Sequence, residues 1–182
     1  MQTLKSYCKK QLFEDILAKK NRKNIYEGPA LKKIVISIGV KEANVNSNRI
    51  LNTLTTLLLI TGQQPSITKA RRSIANFKLR EGKIIGCKIT LRGQQMYNFL
   101  EKFIYIILPQ LTELKLLRYK NRRPTNHLSL GVQDCSLFPE LENQYDLLST
   151  IHGMNIDLYS KESELNTKNI FFSGLKFRFN QS

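Results

Sequence analysis

The chain has 182 residues, with 29 Lys and Arg against 14 Asp and Glu, a formal net charge of +15 and a pI near 9.9. That length suits one domain of ordinary size, and 41% hydrophobic residues are too many for a disordered chain. The charge opposes folding of a free monomer and points to a polyanion, nucleic acid before a membrane surface.

Taken from the N-terminus, Leu4, Cys8, Leu12, Phe13, Ile16 and Leu17 form one stripe with lysines opposite, which predicts a helix over residues 4–20. The segment is basic and amphipathic, like a mitochondrial transit peptide, but Glu14 and Asp15 are residues such peptides avoid. It is therefore read as part of the folded domain. Alternation of Ile34, Ile36 and Ile38 predicts a half-buried strand within residues 31–40. A helix over residues 48–61 follows, capped by Ser47 or Asn48, with an apolar stripe of Leu51, Leu54 and Leu58 and Gly62 at its end.

After Pro65 a short strand is expected over residues 66–69, then a loop over residues 70–82 with no clean period. In the next strand Ile85, Cys87, Ile89 and Leu91 are expected to pack, and Gly86, Lys88, Thr90 and Arg92 to face outward. Met96, Phe99, Leu100, Phe103, Ile104 and Ile107 mark the main core helix, which Pro109 should end. Leu128, Leu130 and Val132 predict a further strand, Phe138 to Glu140 a turn, Met154, Ile156 and Leu158 another strand, and residues 161–172 a last helix. Strands and helices alternate without a glycine-rich phosphate turn, so an α+β layer sandwich is expected, with helices on one sheet face and the other left for a ligand.

The longest apolar stretches, Leu57–Ile60 and Phe103–Leu108, are far shorter than the ~20 residues of a membrane-spanning helix. Cys8, Cys87 and Cys135 lie far apart with no CxxC pair, and His127 and His152 lack spaced partners. Reduced, buried thiols and ordinary structural histidines are expected, with no metal and no cofactor. No HExxH, P-loop, GxSxG or GxGxxG occurs, so no catalysis is expected. The abundance of Lys, Ile and Asn suggests an AT-rich, organelle-like genome.

The charge itself is localised. Residues 62–93 hold eight bases and one acid, Glu81, a net +7, whereas residues 134–164 hold seven acids and one base, Lys161. The basic stretch couples Lys69, Arg71, Arg72, Lys78, Arg80, Lys83, Lys88 and Arg92 to the hydroxyls of Thr68, Ser73 and Thr90 and to Phe77. Forked guanidinium groups and hydroxyls suit phosphate, and a lone aromatic suits either a base or the protein body. A second run, Lys115, Arg118, Lys120, Arg122 and Arg123, suits RNA ahead of a solvated helix end, and the bases of residues 5–23 suit either, adding affinity without specificity where they meet RNA.

The run Ile60-Thr-Gly-Gln-Gln-Pro-Ser-Ile-Thr-Lys-Ala-Arg-Arg-Ser-Ile-Ala-Asn-Phe-Lys-Leu-Arg-Glu-Gly, with Ile85-Gly-Cys-Lys-Ile-Thr-Leu-Arg-Gly after it, resembles the signature of the large ribosomal subunit protein five family. Lys33-Ile-Val-Ile-Ser-Ile-Gly-Val, Ser129-Leu-Gly-Val, Phe138-Pro-Glu and Gly153-Met-Asn-Ile agree in order, so the likeness covers nearly the whole chain. The resemblance implies an RRM-like or ferredoxin-like α+β sandwich, rich in antiparallel pairing, in the central protuberance of the large subunit. It implies binding of 5S rRNA and large-subunit rRNA through Ser37, Gln63, Thr68, Lys88, Thr90 and Arg92. It also implies contact with P-site tRNA through the loop bearing Lys69, Arg71, Arg72, Ser73, Phe77, Lys78 and Arg80. Neighbouring ribosomal proteins, including one of the small-subunit head at an intersubunit bridge, would be further partners, with no membrane. The family's usual Asn is Ser37 here, and residues 115–126 replace a glycine-rich stretch. That divergence suggests a mitochondrial member, with plastid or bacterial cytoplasm as the alternative, and some mitochondrial ribosomes lack 5S rRNA. The rival reading is a free RNA chaperone or tRNA-binding module.

Overall fold

The computed structural model describes residues 4–20, 30–40, 47–77, 79–111, 127–144, 153–161 and 165–175. Lys78, His152 and the basic run of residues 115–123 lie outside them. The elements run α1 (residues 4–20), β1 (Leu31–Gly39), α2 (Ser47–Thr61), β2 (Ser66–Lys69), β3 (Ile84–Leu91), α3 (residues 93–110), β4 (His127–Val132), β5 (Met154–Ser160) and α4 (Leu165–Gly174). The strands form one sheet in the order β2-β3-β1-β5-β4, giving the mixed α+β class expected. Two compact units divide the chain: Met1–Ile34 with Leu91–Leu130 and Asp157–Ser182, and Val35–Thr90 with Gly131–Ile156.

In the first unit α1 buries Leu4, Cys8, Leu12 and Ile16, every fourth residue. A four-residue repeat outruns the 3.6-residue α turn. The wider π turn at Cys8–Leu12 brings those positions back onto one face. The expected core stripe of α3 is wholly buried, with Phe99 and Phe103 stacked at 6.2 Å. Pro109 does not end this helix, which runs on to Gln110. A π segment at Phe103–Ile107 resets the register, so Pro109 falls in the first turn of the next α segment, where no N–H is needed. The last helix is described over Leu165–Gly174, and residues 162–164 of the expected span lie outside the described residues. There the Tyr7 hydroxyl donates to the Gly174 carbonyl (3.4 Å), and a Cβ on Gly174 would strike Leu12.

In the second unit the apolar stripe of α2 is not the one expected. Leu51 and Leu58 are 59% and 44% exposed and Leu54 is half-buried, whereas Ile50, Thr53, Thr56, Leu57 and Ile60 are buried. The reason lies in the threonines. The Thr53 and Thr56 hydroxyls donate to the Arg49 and Asn52 carbonyls (2.7 and 2.8 Å), so both side chains pack as small branched apolar groups. The face they line is set against the turn Pro139–Leu141, which buries Phe138 and Leu141.

Cys8, Cys87 and Cys135 are free and buried. Burial pushes the Cys8 and Cys135 thiols up to about 11 and raises that of Cys87 as well. A raised thiol contributes stability in full below the unfolded value of 9.0 and loses it as pH climbs to about 11. The urea midpoint is therefore expected to fall between those two pH values, and thiol reagents at pH 8 should label the chain only after unfolding; rapid native labelling would contradict this.

Candidate nucleic-acid interface

β2 and β3 pair antiparallel with Ser66 opposite Lys88 and Thr68 opposite Gly86. Directly opposed residues share a face, so Ser66, Thr68, Lys88 and Thr90 stand on one side of this hairpin. Lys88 is exposed, and Thr68 and Thr90 are half-buried. The Ser66 hydroxyl donates to the Lys88 carbonyl (3.0 Å), and the half-buried Gln63 amide donates to the Thr90 carbonyl (3.4 Å), which ties the end of α2 to the strand. On β1, which neighbours β3, Ser37 is half-buried and lies on the face opposite buried Ile36 and Ile38. Arg92 is exposed in extended conformation directly before α3.

Two positions of β3 depart from strict alternation in burial. Ile85 is 40% exposed where packing was expected, and Gly86 is buried where an outward position was expected. The backbones of β1 and β3 approach so closely there that a Cβ on Gly86 would collide with the Ile38 carbonyl oxygen. Val40 N–H bonds to Ile85 O at 2.8 Å beside it. Gly86 thus sits where the β1 and β3 backbones meet, a place with no room for a side chain.

The loop after β2 is a built tongue. Ala70 N–H bonds to Lys83 O (2.8 Å), Gly82 N–H to Ala70 O (3.0 Å), and Ile74 and Leu79 bond each other in both directions (2.9 and 3.2 Å). The Ser73 hydroxyl accepts the Glu81 N–H (3.0 Å), so it holds the two limbs together. A single helical turn, Ala75–Phe77, forms the tip. Arg71, Arg72 and Arg80 are exposed along it, as is Lys69 at its base. Phe77 is 77% exposed and Ile74 44%, so the alternative in which Phe77 anchors the loop on the body is not what forms.

Comparison with known proteins gives the family. The model "Ribosomal protein L5" matches residues 24–80, and the companion model for the C-terminus of the same ribosomal family matches residues 84–179. The chain belongs to the ribosomal protein L5 family. It is 36% identical to the large ribosomal subunit protein uL5m of Reclinomonas americana, over all of both chains. It is also 42% identical to the uL5 of Moorella thermoacetica over 86% of each, and 44% identical to that of Natranaerobius thermophilus over 74% of each. Membership makes the chain a structural, non-enzymatic constituent of the large ribosomal subunit. Among the described residues no cluster of His, Cys, Asp or Glu could hold a metal ion, and no helix is long and apolar enough to cross a membrane.

One cluster escaped the sequence reading. In the first unit, His127 on β4 and Tyr159 on β5 stack at 5.4 Å with 29° between rings, and Lys33 on β1 places its Nζ 4.5 Å from the Tyr159 ring centre. All three are half-buried, and their chain neighbours Ile34, Leu128 and Leu158 are buried. The alternation around each residue was visible in sequence, but not that three distant strands align them.

Proposed function

We propose that this L5-family chain acts as one RNA-binding domain of the central protuberance, holding 5S rRNA or large-subunit rRNA on the β2–β3 face. Its tongue meets the P-site tRNA. The observation that carries this reading is the tongue itself: a hydrogen-bonded loop that displays three exposed arginines and an exposed Phe77 beside a strand face of hydroxyls and Lys88. Preorganised guanidinium groups meet phosphate without paying the ordering cost of a floppy loop. Hydroxyls and a lysine on a strand suit a sugar-phosphate backbone. Adjoining ribosomal proteins, one of them from the small-subunit head, complete the setting. Full-length likeness to a mitochondrial relative supports a mitochondrial ribosome.

Co-sedimentation tests the assignment. The chain is expected to stay with large subunits through a high-salt gradient, whereas a free chaperone would wash off. Within that assay, Thr90→Val with Arg92→Ala should weaken rRNA binding on the order of tenfold at physiological salt, through one hydroxyl and one charge. Unchanged affinity would remove the strand face from the interface.

A further inference from the structure

We propose that the outer face of α2, lined by Leu51, Leu54, Thr55 and Leu58, is a docking surface for an amphipathic helix of another protein in the large subunit. This rests on membership of the large subunit and uses none of the residues of the RNA reading above.

The two sides of α2 are inverted with respect to water. Thr53 and Thr56 help fill the buried side, whereas the larger, wholly apolar Leu51 and Leu58 are exposed. A helix that met only solvent on its outer side would favour the reverse, and apolar residues all round imply cover on both sides. Leu51 and Leu58 stand seven residues apart, close to two full turns, with half-buried Leu54 and exposed Thr55 between them. The Thr55 hydroxyl donates to the Leu51 carbonyl (3.0 Å), so even this side chain spends its donor within the helix. No charged residue occurs over residues 50–68, in a chain of which 24% is charged. RNA is held by cations and free donors, and the strip from Leu51 to Leu58 offers neither. Its occupant is therefore an apolar surface of a protein. The spacing makes that surface a helix: outward side chains recur along α2 once per turn, ~5.4 Å, whereas one face of a strand repeats at about 6.8 Å and falls out of step. Steps of three and four residues are those into which the side chains of a second helix pack. A second copy of this chain is disfavoured, because each copy brings a net charge of +15.

The test uses the full chain within large subunits. Leu58→Cys, labelled with benzophenone maleimide, replaces the wild-type chain; the three native thiols are buried and stay unlabelled. Illumination is expected to crosslink one protein of the subunit, through a peptide whose apolar residues recur at three and four positions. A crosslink to rRNA, to a second copy, to a peptide without that spacing or to nothing overturns the proposal. In parallel, Leu51→Glu with Leu58→Glu is expected to melt close to wild type and to bind a large-subunit rRNA fragment as wild type does. Its retention on large subunits through a high-salt gradient should nevertheless fall about tenfold, because apolar docking, unlike phosphate contact, survives salt. Wild-type retention overturns the proposal and leaves the RNA reading intact. Loss of the RNA fragment by this folded variant also overturns it, by assigning the face to RNA. If the glutamate pair unfolds, the crosslink alone decides.

Discussion

Charge reversal at Arg71, Arg72 and Arg80, each to Glu, should lower affinity for tRNA by at least about a hundredfold at physiological salt and reduce the salt slope by about three. All three side chains are exposed, and the tongue is held by backbone bonds and the Ser73 hydroxyl, none of which they supply. The melting temperature should therefore stay within about 5 °C of wild type, since exposed substitutions rarely cost more than about 0.5 kcal/mol each. Affinity is read by filter binding across a salt series and folding by thermal melting. A variant that unfolds, or one that binds tRNA as wild type does, would defeat the tongue assignment. Phe77→Ala in the same series separates stacking from charge: it should weaken binding with no change in salt slope.

Gly86→Ala is expected to cost about 3 kcal/mol of stability, a drop in melting temperature of roughly 10 °C. Its Cβ would collide with the Ile38 carbonyl oxygen, and a backbone atom of a paired strand cannot swing aside as a side-chain tip can. The matched control is Gly131→Ala on β4, where the nearest atom, Asn155 Oδ1, lies 3.8 Å away in ordinary contact. That variant should melt close to wild type. Near-equal melting of the two would show that β1 and β3 do not approach as described. Calorimetry on both variants decides it.

The element pattern was largely legible in the sequence because alternation and helical spacing are local properties of the chain. Ile34, Ile36 and Ile38, the outward Lys88 and Thr90, and the stripe from Met96 to Ile107 all lie as their spacing required. Concentration of +7 within residues 62–93 likewise marked the basic tongue, since charge density depends only on composition. Three matters lay beyond that reach. Which side of α2 is buried depended on hydroxyls bonding back to their own helix, so Thr53 and Thr56 pack inward while Leu51 and Leu58 stay exposed. Whether Phe77 turned inward or outward depended on hydrogen bonds across the tongue. Bringing Lys33, His127 and Tyr159 into one row required strand order, which joins residues far apart in the chain and leaves no trace in local periodicity.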